Sequence, residues 1–263
     1  MQHSALLNVM IAAARKASRT LKRDFGEVEN LQVSLKGPGN FVTAADRKAE
    51  ETLKAELAKA RPGYSFLGEE SGSHAGTDTT HTWIVDPLDG TTNFLHGIQQ
   101  FAISIGLERS GTIVAGVVYN PITDELFVAE RGKGAFLNDR RLRVAARKRL
   151  ADSVIACGLP HLGRGDLDLG LRELSAIQDK VAGLRRFGAA ALDMAFVAAG
   201  RLDGYWERNI SPWDIAAGII ILREAGGFVT DIDGADAMFT KKHVVAGNET
   251  IQRELQTLLK AAS

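Results

Sequence analysis

Two aspartates three residues apart, Asp86 and Asp89, stand at the end of the apolar run Trp83-Ile84-Val85. Pro87 between them has no N–H and a fixed φ, so the chain is expected to leave any sheet ladder there. Asp89-Gly90 is a turn signal. Carboxylates held this way suit a hard cation such as magnesium, and the carbonyl of Leu88 is a further oxygen donor. Gly90-Thr91-Thr92 follows. If a helical turn begins there, its N–H groups point at an anion. Cation ligands and an anion cradle within seven residues suggest phosphate chemistry. A blander account stays open: the two aspartates only end a strand and shape a turn.

Three other stretches carry acidic residues with two local readings each. Glu69-Glu70 follows the short strand 64–67 and is either a solvated pair or a source of a third carboxylate. Asp46 falls in the first turn of a helix with Thr43 as a possible N-cap, where a carboxylate complements the helix dipole. Asp214 stands in the first turn of SPWDIAAGIIILREAGG, with Ser211 as N-cap, Pro212 at the first position and Gly226-Gly227 as the stop. Capping alone accounts for Asp214 locally.

The elements that position these groups follow from periodicity. Residues 4–24 repeat apolar side chains at i, i+3 and i+4, which predicts an amphipathic helix. Lys36 to Gly39 reads as a loop, and a helix runs on to Ala60 before Pro62-Gly63. Residues 72–82 read as a polar surface loop carrying solvated His74 and His81. Alternation from 100 to 142 predicts an antiparallel meander. Strand and helix patterns then alternate from Ser153, and Asn248–Lys260 is a final helix. The whole reads as a layered α/β arrangement, divided into residues 1–150 and 151–263. The six basic residues between Arg140 and Arg149 mark the division, as a solvated rim or as a docking surface.

The chain has 263 residues, 45% hydrophobic and 24% charged, with zero formal net charge. That argues against bulk binding of nucleic acid. The single Cys157 cannot pair within the chain and points to the cytoplasm. No apolar run reaches the roughly 18 residues of a membrane span.

Three motifs in order, LGEES (67–71), WIVDPLDGTTNF (83–94) and PWDIAAGIIILREAGG (212–227), resemble the inositol monophosphatase family, in its bacterial branch. VTAADRKAE (42–50) and ALDMAFVAAGRLDGYWE (191–207) support the resemblance. It implies a five-layered αβαβα sandwich of the sugar-phosphatase type. It also implies a magnesium-dependent phosphomonoesterase with two or three Mg2+ per site, acting on inositol 1-phosphate or a similar polyol phosphate. On this mapping Glu69, Asp86 and the Leu88 carbonyl hold one metal, and Asp86, Asp89 and Asp214 hold the second. Glu69 counts with Thr91 and Asp46 among the catalytic groups, the last two orienting the attacking water. Gly90 and Thr91 cradle the phosphate, Glu207 contacts substrate hydroxyls and Ala190 lines the site. Ala189 departs from the family, which often has a hydroxyl there. The resemblance further implies lithium sensitivity and a homodimer. The alternatives it leaves are histidinol phosphate, fructose 1,6-bisphosphate or a 3′-phosphonucleotide as substrate, or an accessory role in ribosomal RNA transcription with docking through Arg140–Arg149.

Overall fold

The computed structural model describes residues 3–27, 33–37, 40–161, 163 and 165–263, with 33–37 and 40–43 as backbone only. Pro38 and Gly39 of the expected loop, and the Thr43 side chain, lie outside the described residues. The chain opens with α1 (Ala5–Phe25), whose N-cap Ser4 accepts the Leu7 N–H at 3.1 Å. A hairpin of β1 (Val33–Gly37) and β2 (Asn40–Thr43) leads into α2 (Ala44–Ala60). Next come β3 (Tyr64–Gly68), β4 (Gly72–His74), β5 (Asp78–Asp89) and the short α3 (Thr91–Leu95). The meander is β6 (Ala102–Arg109), β7 (Thr112–Asn120), β8 (Glu125–Glu130), β9 (Gly134–Leu137) and β10 (Arg140–Arg141). The second half runs β11 (Val154–Cys157), α4 (Leu167–Gln178), β12 (Gly183–Arg185), α5 (Ala190–Ala198), β13 (Gly204–Arg208) and α6 (Pro212–Glu224). It closes with β14 (Phe228–Thr230), α7 (Met238–Lys241), β15 (His243–Gly247) and α8 (Glu249–Ala262).

An eight-stranded sheet has the order β10-β9-β8-β7-β6-β5-β3-β4, and a five-stranded one the order β12-β11-β13-β15-β14. The first sheet is antiparallel except where β3 runs parallel to β5. Alternation along β5 shows how the layers are made, because successive side chains leave opposite faces of a strand. Trp83 and Val85 join the core under α1 and α2, while Ile84 joins the core that contains α5 and α6. A third core packs Leu255 and Leu259 of α8 and Ile177 of α4 against Ile155 and Trp206 of the second sheet. The result is helices, sheet, helices, sheet, helices: the αβαβα sandwich.

The middle layer needs helices that are apolar on every side. In α6, every residue from Ile215 to Leu222 is buried. Gly106 and Gly116 are cross-strand partners in β6 and β7, and they leave a trough for it. A Cβ on Gly106 would lie 2.7 Å from Ala216 Cβ, and one on Gly116 2.7 Å from the Ala217 carbonyl oxygen. This close approach sets where the first turn of α6, and so Asp214, meets the end of β5.

The expected surface loop over 72–82 is corrected. Residues 72–74 form β4, and 78–82 are the first part of β5. His81 is half-buried and partnered: its Nδ1 lies 2.9 Å from Asp78 Oδ2, and its ring stacks on Tyr64 at 4.3 Å. The basic cluster is also more structural than expected. Arg147 Nε donates to the buried Asp203 at 2.6 Å, and the second oxygen of Asp203 accepts the Val154 N–H at 2.8 Å. Arg140, Arg141, Arg143 and Lys148 stay exposed. Asp203→Ala should therefore cost about 2 kcal/mol in a urea unfolding measurement, chiefly because it strands the Val154 N–H.

Candidate active site

Four segments converge on one cavity. The first is the end of β5. The ladder with β6 is irregular between Asp86 and Asp89, and Asp89 then pairs again opposite Ala102. The strand therefore does not stop at Asp86 as expected. It bulges at Pro87-Leu88 and resumes, which is how a residue without an N–H is accommodated. Leu88 is fully buried, and its N–H donates to Asp86 Oδ1 at 2.9 Å. Asp89 Oδ2 accepts the N–H of Ala191 at 2.7 Å, joining the bulge to the start of α5.

Gly90 comes next, at φ +92°, the left-handed region where glycine is free of Cβ strain. A Cβ there would meet the Gln100 carbonyl oxygen at 2.8 Å and Ala189 Cβ at 3.2 Å. Because α3 begins at Thr91, its first N–H groups have no acceptor within the helix. The Thr91 hydroxyl donates to the Leu88 carbonyl at 3.0 Å and lies 3.4 Å from Asp46 Oδ2. One proton serves one acceptor at a time, and the shorter bond is the stronger. Gly90→Ala should cost about 2 kcal/mol or more in unfolding free energy and lower kcat/KM as well, because the strained turn carries Thr91.

The second segment is the end of β3. Glu69 N–H donates to the Val85 carbonyl at 3.2 Å. The next two N–H groups, of Glu70 and Ser71, both donate to the Glu50 carboxylate at 2.8 Å. Glu50, on α2, thus fixes the loop that presents Glu69. Oxygens of Asp46, Glu69 and Glu70 all lie within 4.8 Å of one another. The third segment is the first turn of α6, where Asp214 completes a capping box and accepts the Ser211 N–H at 2.8 Å. The capping expected of Asp214 is real, yet the same carboxylate also lines the cavity. The fourth is β13, where the Tyr205 hydroxyl donates to Glu207.

The cavity has a volume of about 400 Å3, and Glu69, Asp86, Leu88, Asp89, Gly90, Thr91, Ala190, Glu207 and Asp214 all line it. Asp46 does not line it and reaches it through Thr91 and Glu69. The unexpected part of the cavity wall includes the side chains of Asp193, Arg186, His161 and Cys157. Asp193 left one readable trace, a lone acid inside the apolar run of α5. Glu50 left none, because its partners lie some twenty residues away.

The electrostatics ask for positive charge. Burial, then the charges of Glu69, Asp89, Asp214 and Asp46, push Asp86 well above the usual carboxylate range. Burial and Asp214 do the same to Asp89, against the Ala191 N–H. Asp214 rises to about 7, through burial and then Glu69. Crowded acids of this kind are stable as anions only beside a cation. The donors are carboxylates and one carbonyl, all hard oxygen, so the residues fit a small divalent metal. Cys157 is a poor nucleophile here, since burial and Glu207 raise its thiol to about 12.

A family model described as the inositol monophosphatase family matches residues 2–263. The chain is 64% identical to an inositol-1-monophosphatase of Mesorhizobium japonicum, over 99% of this chain and 98% of that one. It is 42% identical to a Nus factor SuhB of Pseudomonas aeruginosa, over 97% and 95% of the two chains. A crystal structure of extragenic suppressor protein suhB from Bartonella henselae superposes with a TM-score of 0.95 at 61% identity, covering 98% of this chain and 99% of that one.

Proposed function

The chain belongs to the inositol monophosphatase family and is a phosphoric monoester hydrolase, and from that premise we propose that it releases phosphate from inositol 1-phosphate or a similar polyol phosphate in the presence of magnesium. The observation that carries this reading is the meeting of Glu69, Asp86, Asp89 and Asp214 on the same cavity as Glu207. Glu69, Asp86 and the Leu88 carbonyl would hold one Mg2+, and Asp86, Asp89 and Asp214 another. When bound, the cations neutralise phosphate charge and make water more acidic.

The rest falls to the chain's own groups. Gly90 and Thr91 offer N–H groups to the phosphate oxygens. The Thr91 hydroxyl orients the attacking water, and Asp46, 3.4 Å from that hydroxyl, takes a proton through it once the hydroxyl turns from the Leu88 carbonyl. Glu207, steadied by Tyr205, takes a hydroxyl of the substrate, and Ala190 gives that hydroxyl's ring room. The division at residue 150, a homodimer, a cytoplasmic location and sensitivity to lithium belong to the same reading. Among the described residues no helix is long and apolar enough to cross a membrane.

Phosphate release from a panel of inositol 1-phosphate, histidinol phosphate, fructose 1,6-bisphosphate and a 3′-phosphonucleotide, with and without Mg2+, tests the proposal. Inositol 1-phosphate should be the best or near-best substrate. No release from any member would overturn it. A second reading has its own support in the Nus factor relative and the exposed Arg140, Arg141, Arg143 and Lys148. Charge reversal at these four should abolish any capture of transcription proteins and leave kinetics intact, whereas Arg147 is excluded because it holds Asp203.

A further inference from the structure

One acid in the cavity stands apart from the others. Asp86, Asp89, Asp214 and Glu207 each accept a hydrogen bond from the protein. Asp193 is 2% exposed, lines the same cavity, and its carboxyl group makes no hydrogen bond among the described residues. Its Oδ1 is wholly buried without a partner. Its own N–H is spent on the Ala189 carbonyl at 3.0 Å. A buried polar group left unpaired costs free energy, and its persistence calls for something that satisfies it.

Complementing the dipole of α5 does not explain the placement. Asp168 does that for α4 from an exposed position, where the charge is hydrated. Asp193 shares the cavity wall with Glu207, and the neighbouring charges that act most on it are Glu207 and Arg186. Glu207 is the group read above as a hydroxyl contact. Two carboxyl groups on one cavity wall suit two hydroxyls of one ligand, since each accepts from one O–H. The Glu207 carboxylate also repels a second phosphate brought to that wall.

We infer that Asp193 is a second hydroxyl-binding residue beside Glu207, and that the pair selects uncharged polyol groups on the phosphate ester. This rests on the phosphomonoesterase reading given above. Burial, then the charge of Glu207, raise the Asp193 carboxyl well above the usual carboxylate range.

The test compares Asp193→Ala and Asp193→Asn with the wild type on two compounds, inositol 1-phosphate and p-nitrophenyl phosphate, which has no hydroxyl to bind. For Asp193→Ala, kcat/KM on inositol 1-phosphate should fall roughly 10- to 100-fold, the range for a truncated polar contact to substrate. The same constant for p-nitrophenyl phosphate should stay within about threefold. Asp193→Asn should lose less, because an amide still bonds a hydroxyl. Tm without substrate should equal or exceed the wild-type value, since an unpaired buried group has been removed. Parallel losses on both compounds, no loss on either, or a lowered Tm with an unchanged ratio would overturn the inference. If Asp193→Ala does not fold, Asp193→Asn is read by the same ratio, with a smaller loss expected on inositol 1-phosphate alone. Failure of the wild type to hydrolyse either compound would instead overturn the underlying reading, and this inference with it.

Discussion

Asp86→Asn should abolish phosphate release while leaving the fold intact. The substitution keeps the volume of a fully desolvated side chain, and the amide oxygen can still accept the Leu88 N–H that Asp86 Oδ1 takes at 2.9 Å. Only the charge is lost. On the proposed assignment that charge belongs to both cations, so no other single change removes as much. A fall in kcat/KM of at least about 10³-fold is expected, on the order of 4 kcal/mol of transition-state stabilisation. Stability should move the other way in EDTA. Glu69, Asp89, Asp214 and Asp46 all act against ionisation of Asp86, so removing its charge relieves repulsion, and Tm without metal should equal or exceed that of the wild type. A thermal melt beside the assay separates this from simple unfolding. Substantial activity in a correctly folded Asp86→Asn protein would remove the basis of the assignment.

The second large effect is on stability. The pKa of Asp214 rises from its ordinary 3.8 to about 7 in the folded chain. A group raised on folding gives stability that is complete below its unfolded pKa and is lost as pH climbs through the folded one. Metal-free protein should accordingly lose stability between about pH 4 and pH 7, with Asp86 and Asp89 acting in the same direction. Magnesium reverses the sign, because it binds the anions and competes with protons for them. The difference in Tm between Mg2+ and EDTA should be near zero at pH 4 and largest above pH 7. At a hundredfold excess over Kd, one site adds about 2.7 kcal/mol, or roughly 5–10 °C for a chain of this size. A difference that stays flat across this pH range would contradict the account.

The parts of the molecule legible in the sequence are those with a local cause. The periodicity of α1, the Ser-Pro start and Gly-Gly end of α6 and the alternation of the meander each predict their element. The site was legible where its residues sit in one compact string. Long-range pairings were not. Asp89 bonds Ala191 across 102 positions, and Arg147 in a basic run is tied to Asp203 across 56. Nothing within a few residues of either signals this. The ladder break at Pro87 was read as the end of a strand, because its sequence cannot tell an ending from a bulge with partners waiting beyond it. β14 and β15 escaped for a related reason: three and five residues give no period to count, and their place in the sheet comes from β13 between them and β11. Asp193 is the sharpest case, an acid in a helix whose exposure only packing decides.

On the proposed assignment four acids from separate parts of the chain form one divalent-cation centre with Asp86 shared. Equilibrium dialysis of Mg2+ against the wild type, Asp86→Asn and Asp214→Asn at pH 8 tests it most directly. The wild type should bind at least two ions, Asp214→Asn should lose one, and Asp86→Asn should lose both tight sites. Wild-type binding by a folded Asp86→Asn protein would contradict it.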